Sequence, residues 1–334
     1  MCDFHLLSKP REIALCLAMT ETQKGLVALL IVQTSWGLLP LYYKAMDHVP
    51  AMEVLAHRTL WTFVLFGLWI LIQGRLGELR ALLSGPRLKK VMPAAFLISI
   101  NWGVFIYAVQ AGQALEAAFG YYIFPLVATL IGLVIFKEPL RGLQYPALVL
   151  AALAVVVLGV GLGAPPWVAL VLALTFSAYG AIKKSLDAGP VISVTAEVAF
   201  LAPLALIYLV GAALWGWGGS EEQAAGVFGR DLQDSFLLLL SGVFTGGPLI
   251  FFAAAARRLT YTVVGMGQYW NSTLQFLLAV LVFAEPFTHW HAVAMPLIWA
   301  ALVLYTLEAL RQERAARRLR RRSTSSSTVS TVSK

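Results

Sequence analysis

The chain of 334 residues is 59% hydrophobic and 13% charged, with a mean hydropathy of +0.77, whereas soluble domains have about 45–50% apolar and roughly 25% charged residues. That composition excludes an ordinary globular, disordered or fibrous protein and indicates a polytopic membrane protein. The formal net charge of +8 implies no nucleic-acid partner, because the Lys and Arg sit in short connections and a tail, with no aromatic-basic groove beside them.

Residues 1–23 read as a lead segment. It holds both cysteines, Cys2 and Cys16, so no disulfide framework or zinc cluster can be built across the fold. The apolar run from Ile13 to Met19 is too short to span and is followed by Glu21, which fits a cleaved signal peptide poorly. Met19 stands as a second candidate start. Ten stretches then reach the length of about 20 apolar residues that crossing a bilayer requires: 25–43, 54–73, 91–111, 115–136, 144–163, 165–183, 191–215, 235–256, 262–284 and 290–310. Residues 311–334 form a basic tail that turns Ser/Thr-rich from Ser323, and its composition predicts disorder.

Twenty-two of the 25 Lys and Arg fall in connections on one side of this ten-span arrangement. The other side keeps Lys44 and Arg230, and Arg58 lies inside the second span. Cytoplasmic loops are the ones enriched in Lys and Arg, so both termini are expected in the cytoplasm, with the chain in the cell's inner (plasma) membrane.

The two halves repeat. Phe136-Lys137-Glu138-Pro139 and Phe283-Ala284-Glu285-Pro286 lie 147 residues apart, and the same shift aligns Phe105 with Phe252, Ala108 with Ala255, Gly120 with Gly267 and Tyr122 with Tyr269. With small gaps, Trp36-Gly37 pairs with Tyr179-Gly180 and Glu53 with Glu197. Five spans is an odd number, so consecutive copies enter the membrane from opposite sides, the plan in which secondary transporters hold substrate between repeats. The expected fold is all-α: ten transmembrane helices in two inverted five-helix repeats, residues 24–163 and 164–310.

Several segments together resemble the drug/metabolite transporter superfamily, in its EamA-type branch, and within it the RarD-like permeases. They are Trp36-Gly37-x-x-Pro40-x-Tyr42-x-Lys44, Pro50-x-x-Glu53-x-x-x-His57-Arg58-x-x-Trp61, Asn101-Trp102, Leu115-Glu116-Ala117 leading to Gly120-Tyr121, Tyr179-Gly180, Glu197, and Ala253-Ala254-Ala255-x-Arg257-x-Leu259 before Gln268-Tyr269. The resemblance runs from about Lys24 to Arg311. It implies a central cavity lined by spans 1–4 and 6–9, with spans 5 and 10 peripheral. Two positions depart from the family pattern. Phe124 stands where an Asn precedes Pro125, and Asn271-Ser272 stand where a Pro follows Gln268-Tyr269. The resemblance therefore carries a transport class but no substrate.

Ionisable groups inside a bilayer cost about 2.5–3.5 kcal/mol on insertion scales and usually face a cavity or a partner. Glu53 and His57 share a helix face, with Arg58 beside them. The three form either a charge-relay or anion-recognition cluster facing Lys44, or a group near the membrane surface in which Arg58, four residues into its span, snorkels outward. Glu197 is either a proton-linked carboxylate or the partner of Lys183 or Lys184. Asn101, Gln268 and Asn271 either contact ligand or bond another helix, while Gln275 reads as packing. Trp36, Trp102, Tyr121, Tyr122, Tyr179, Tyr269 and Trp270 form either an aromatic pocket for amphipathic or cationic ligands or an interfacial belt, and Tyr42, in the Trp36-Gly37 segment that carries the resemblance, is a further candidate for substrate contact. Gly120, Gly267 and Pro125 either loosen helices or let them pack closely.

No Walker A loop, zinc-ligand helix or nucleophile elbow occurs, so no cofactor, metal or ATP-driven step is expected, nor an enzyme. The expected function is secondary-active transport of small metabolites or amphipathic compounds, with export favoured and with protons as a candidate coupling ion. A membrane channel and a membrane-embedded enzyme are the alternative readings. Partners other than substrate, protons and lipid are not indicated.

Overall fold

A computed structural model describes residues 20–137, 139–220 and 223–330. Among the described residues the chain is helical between its connections, with one isolated bridge between Phe228 and Asp231. The helices are α1 (Glu21–Lys44), α2 (Ala51–Ile72), α3 (Leu76–Leu82), α4 (Gly85–Gln110), α5 (Ala114–Ile135), α6 (Gln144–Leu162), α7 (Trp167–Lys184), α8 (Pro190–Trp215), α9 (Leu232–Ala256), α10 (Tyr261–Leu277) and α11 (His289–Ser330). Nine of them, all except α3 and α10, are long and apolar enough to cross a membrane. The α-helical part of α10 is 17 residues long, and a π-helical turn, Leu278–Val282, continues it. The chain is a multi-pass helical membrane protein.

Local sequence sets the helix ends. Thr20 caps α1 in a reciprocal box, accepting from the Gln23 amide at 3.2 Å while the Gln23 side chain accepts from the Thr20 amide at 2.8 Å. Asp231 accepts from the Asp234 amide at 2.9 Å and caps α9. Gly163 and Gly216, with φ of 70° and 69°, end α6 and α8 in the left-handed conformation that glycine adopts without steric cost. α2 begins at Ala51, directly after Pro50, so Arg58 stands seven residues into its helix rather than four.

The helix α11 runs unbroken to Ser330, 42 residues in all. From Arg311 to Ser330 the tail is thus helical in its backbone where composition predicts disorder. Its first part, Gln312 to Arg322, is built of Arg, Ala, Leu, Gln and Glu, which are strong helix formers. Extending a formed helix also needs no new nucleus. Cys2, Cys16, Met19 and Glu138 lie outside the described residues.

The two halves of the chain interleave. α5 lies along α7 and α10 along α1; α2 packs on α9 and α4 on α8; α1 meets α9 and α4 meets α7; and α6 meets α11, α2 meets α8 and α5 meets α10. One apolar core takes residues from both halves, including Leu39, Phe105, Tyr122, Leu172, Leu238 and Met295. Small residues permit this closeness. A Cβ on Gly120 would stand 2.8 Å from the Ala169 carbonyl oxygen, and one on Gly267 would stand 2.9 Å from the Leu29 side chain. Glycine at these two positions acts in packing.

Candidate functional site

Four helices bring polar and aromatic groups to one depth. Arg58 and Tyr121 stand seven residues, and Trp102 and Thr175 eight, from the Lys/Arg-poor ends of α2, α5, α4 and α7, about 10–12 Å of helical rise. The Arg58 guanidinium lies over the Trp102 ring, 4.0 Å from its centroid, and donates to the Tyr43 hydroxyl at 2.5 Å. Its Nε has no hydrogen-bond partner, and neither has Thr62 Oγ1 one turn further along the same face. Asn101 is fully engaged. Its amide donates to the Leu172 carbonyl and to Thr175 Oγ1, each at 3.0 Å, and its oxygen accepts from the Tyr121 hydroxyl at 3.0 Å.

A run of aromatic rings leads away from this cluster. Tyr43 meets Phe105 at 5.9 Å, Phe105 meets Tyr121 at 5.5 Å, Tyr121 meets Phe176 at 6.0 Å and Phe176 meets Tyr179 at 6.1 Å. At the far end, toward the Lys/Arg-rich side, the Tyr179 hydroxyl donates to Glu197 at 3.0 Å and Lys183 pairs with the other carboxylate oxygen at 2.6 Å. Lys183 and Ser193 are themselves hydrogen-bonded, and Ser193 donates to Glu197 at 3.1 Å. Glu197 is fully buried, and of the two lysines offered by the sequence its partner is Lys183. Thr175 and Phe176 carried no separate signal among so many apolar and small polar residues, and Phe105 was marked only by its place in the repeat. The Tyr42-Tyr43 doublet beside the motif tyrosine could have marked Tyr43.

The remaining candidates do other things. Lys44 pairs with Asp47 at 3.0 Å on the exposed side. Glu53 accepts from the backbone amides of Gly226 and Val227 at 2.8 and 3.1 Å, so it pins the connection between α8 and α9. His57 lies against Phe228, ring centroids 4.8 Å apart. Tyr42 donates to the Leu237 carbonyl at 2.7 Å, bridging α1 and α9. Tyr122 shares a 2.8 Å hydrogen bond with Thr273, linking α5 and α10.

The amides of α10 gather against α1. Asn271 accepts from Gln275 at 2.9 Å, and the same Gln275 amide reaches the Trp36 carbonyl at 3.5 Å, which matches a packing role for Gln275. Trp36 lies 5.7 Å from the Phe252 ring. Gln268 is buried and Tyr269 half-buried on the same helix. Trp215 and Trp217 stack on each other at 5.7 Å, both exposed and away from these groups.

Carboxylates that are buried or half-buried also hold helix starts, an arrangement favoured by the unpaired amides and positive dipole of a helix N-terminus. Glu285 accepts from the Ala114 and Leu115 amides of α5 at 2.8 and 2.7 Å. Glu116 accepts from the Val168 amide of α7 at 2.9 Å, and Glu308 from the Leu143 amide before α6 at 3.2 Å. Burial pushes the Glu285 carboxyl above the ordinary carboxylate range, against the lowering effect of the two amides. Among the described residues no group of three or more His, Cys, Asp or Glu could hold a metal ion.

Interleaved apolar helices with buried polar groups at their crossings define a multi-pass membrane protein with an internal polar site. The model of the EamA-like transporter family matches residues 23–160. Over 302 residues the chain is 39% identical to the transporter YojE of Bacillus subtilis (strain 168), covering 89% of this chain and 98% of that one. It is 39% identical over 301 residues to protein RarD of Streptomyces exfoliatus, covering 90% and 93%, and 32% identical over 295 residues to protein RarD of Escherichia coli (strain K12), covering 88% and 97%. One solved crystal structure shares the fold with a TM-score of 0.56 at 18% identity, covering 85% of this chain and 98% of its own. The chain belongs to the EamA-type, RarD-like permeases, a family of membrane transporters.

Proposed function

We propose that the protein is a secondary-active carrier of small organic solutes in the cell's inner membrane, working by alternating access between two inverted five-helix halves, with export as its net direction. In this reading α10 and its π-helical turn make the tenth span, and both termini are cytoplasmic. The observation that carries it is the packing pattern. Exchanging α1 with α7, α2 with α8, α4 with α9, α5 with α10 and α6 with α11 turns the contact of α5 with α7 into that of α10 with α1. It likewise turns α2 on α9 into α8 on α4, and α1 on α9 into α7 on α4, and returns the other three principal pairings to themselves. Lys137 and Ala284, 147 residues apart, both take φ of 53°, a strained value for a residue with a side chain. A molecule whose halves are interchangeable in this way has two arrangements of similar energy related by that exchange, which is what alternating access needs.

The site is the cluster around Arg58, Asn101, Trp102 and Tyr121, with the amides of α10 as the contribution of the second half. Glu197, rather than Glu53, is the candidate for proton coupling. Its partner Lys183 can exchange for a proton or move away, whereas Glu53 is occupied by loop amides.

Counterflow in proteoliposomes tests the carrier reading. Vesicles preloaded with amino acids, nucleosides or amphipathic compounds are followed for uptake of the labelled compound with no ion gradient. Saturable exchange is the expected result; flux that rises linearly with concentration, or no exchange across the panel, contradicts it. Abolition of the pH-gradient response by Glu197→Gln but not by Glu53→Gln is expected if Glu197 carries the coupling.

A further inference from the structure

The charges in the membrane interior do not balance in the same way at the two ends of the aromatic run. At one end Lys183 and Glu197 neutralise each other. At the other, Arg58 is 4% exposed, and among the described residues its contacts are the Tyr43 hydroxyl and the ring faces of Trp102 and Tyr43. No described carboxylate pairs with it. The nearest acidic residue on its own helix, Glu53, spends both oxygens on the Gly226 and Val227 amides. A buried guanidinium without a counter-charge is costly, and a ring face and a neutral hydroxyl offset only part of that cost.

We propose that Arg58 is the anion-recognising group of the carrier's substrate site and that the solute is an amphipathic organic anion, a carboxylate borne on an aromatic or apolar body. The guanidinium is a planar fork of five donors suited to two parallel bonds with a carboxylate. Nε, a member of that fork, has no protein partner, and the Thr62 hydroxyl stands one turn away in the same condition. Tyr43 and Trp102 flank the guanidinium, and Phe105 and Tyr121 continue the run of rings from Tyr43, which suits a flat apolar body. A cationic ligand, which an aromatic pocket alone would admit, is repelled by the same charge. An anion leaving a cytoplasm held at negative potential moves down the electrical gradient, in keeping with export. The proposal rests on the carrier reading for the word substrate, and its test separates the two.

Thermal unfolding of the purified full-length protein in detergent is followed with benzoate, phenylacetate and indole-3-acetate, each beside its neutral amide. The acids are expected to stabilise the protein at concentrations where the amides do not. Arg58→Gln is expected to weaken apparent affinity for the acids by about tenfold or more and to leave the amides unchanged, with Arg58→Lys intermediate, since the point charge survives and the fork is lost. No preference for acids over amides in the unsubstituted protein overturns the proposal, as does a preference undiminished in Arg58→Gln. Should Arg58→Gln not fold, the acid-amide comparison and Arg58→Lys decide. Counterflow of neutral solutes without acid-selective binding leaves the carrier and removes the anion site. Acid-selective binding without counterflow leaves the anion site and removes the carrier.

Discussion

Single side chains in this protein divide into those that hold backbone and those that face other side chains, and only the second kind suits a solute. Glu285 belongs to the first. Glu285→Ala leaves the Ala114 and Leu115 amides at the start of α5 without acceptors and is expected to cost about 1–3 kcal/mol, read as a loss of unfolding free energy in detergent. Glu285→Gln keeps one acceptor and sheds a buried charge, so it should cost less. Because burial raises the Glu285 pKa, the sign of its pH dependence is fixed. The native state holds this proton more tightly than the unfolded chain, so its contribution is fully present below the ordinary carboxylate pKa and is lost as pH rises through the raised one. Glu285→Gln should flatten that dependence. The sequence marked the ionisable groups of the spans because such groups are rare in apolar helices. It could not show which are engaged by backbone: the partners of Glu53 are the amides of Gly226 and Val227, 173 and 174 residues away, and an amide has no side-chain signature. The partner of Lys44 was equally invisible, since it is the local Asp47 and not the Glu53 cluster that the structure places in an ion pair with it.

Whole helices were far more legible. The bilayer requires long apolar segments with internally bonded backbone, so hydropathy outlines most of the membrane-crossing helices to within a few residues, but it misses the short α3, the first turns of α4 and the extension of α11 to Ser330. Their contacts were partly legible through glycine. Gly120 and Gly267 are related by the 147-residue shift, yet their surroundings differ in stiffness. Gly120 faces the backbone oxygen of Ala169, whereas Gly267 faces the flexible end of Leu29. Gly120→Ala should therefore cost about 1–3 kcal/mol, in the range of overpacking, and Gly267→Ala less, because Leu29 can change rotamer. Comparing the two variants by thermal unfolding checks this; equal costs would contradict the packing account. Sequence gave no sign of the π-helical turn at Leu278–Val282, because a run of Leu, Ala and Val suits an α-helix equally well. Such turns recur at functional sites, and this one breaks the match between α10 and the regular end of α5.

The whole molecule tests the topology. Orientation came from the distribution of Lys and Arg, and it predicts the side on which each connection lies. In a variant with Cys2 and Cys16 replaced, a cysteine placed at Ser220, between α8 and α9, should react with an impermeant maleimide added to intact cells. A cysteine at Ser84, before α4, should react only after permeabilisation. The reverse pattern would invert the protein. The Lys/Arg-poor side is tied across the two halves by several contacts: His48 to Asp234 at 3.0 Å, Gln223 to the Asp47 carbonyl at 2.7 Å, Tyr42 to the Leu237 carbonyl at 2.7 Å, and Glu285 to the start of α5. If access alternates, these ties must open in each cycle, since a bound solute can leave on that side only when the halves part.

The most direct test of the account joins that mouth covalently. In the same cysteine-replaced background, His48→Cys and Asp234→Cys are linked with a short reducible cross-linker, and counterflow of labelled phenylacetate is measured in proteoliposomes before linking, after linking and after reduction. The account predicts saturable exchange that disappears on linking and returns on reduction. Exchange that continues through the linked protein, or flux that never saturates, would contradict a carrier that alternates between two faces.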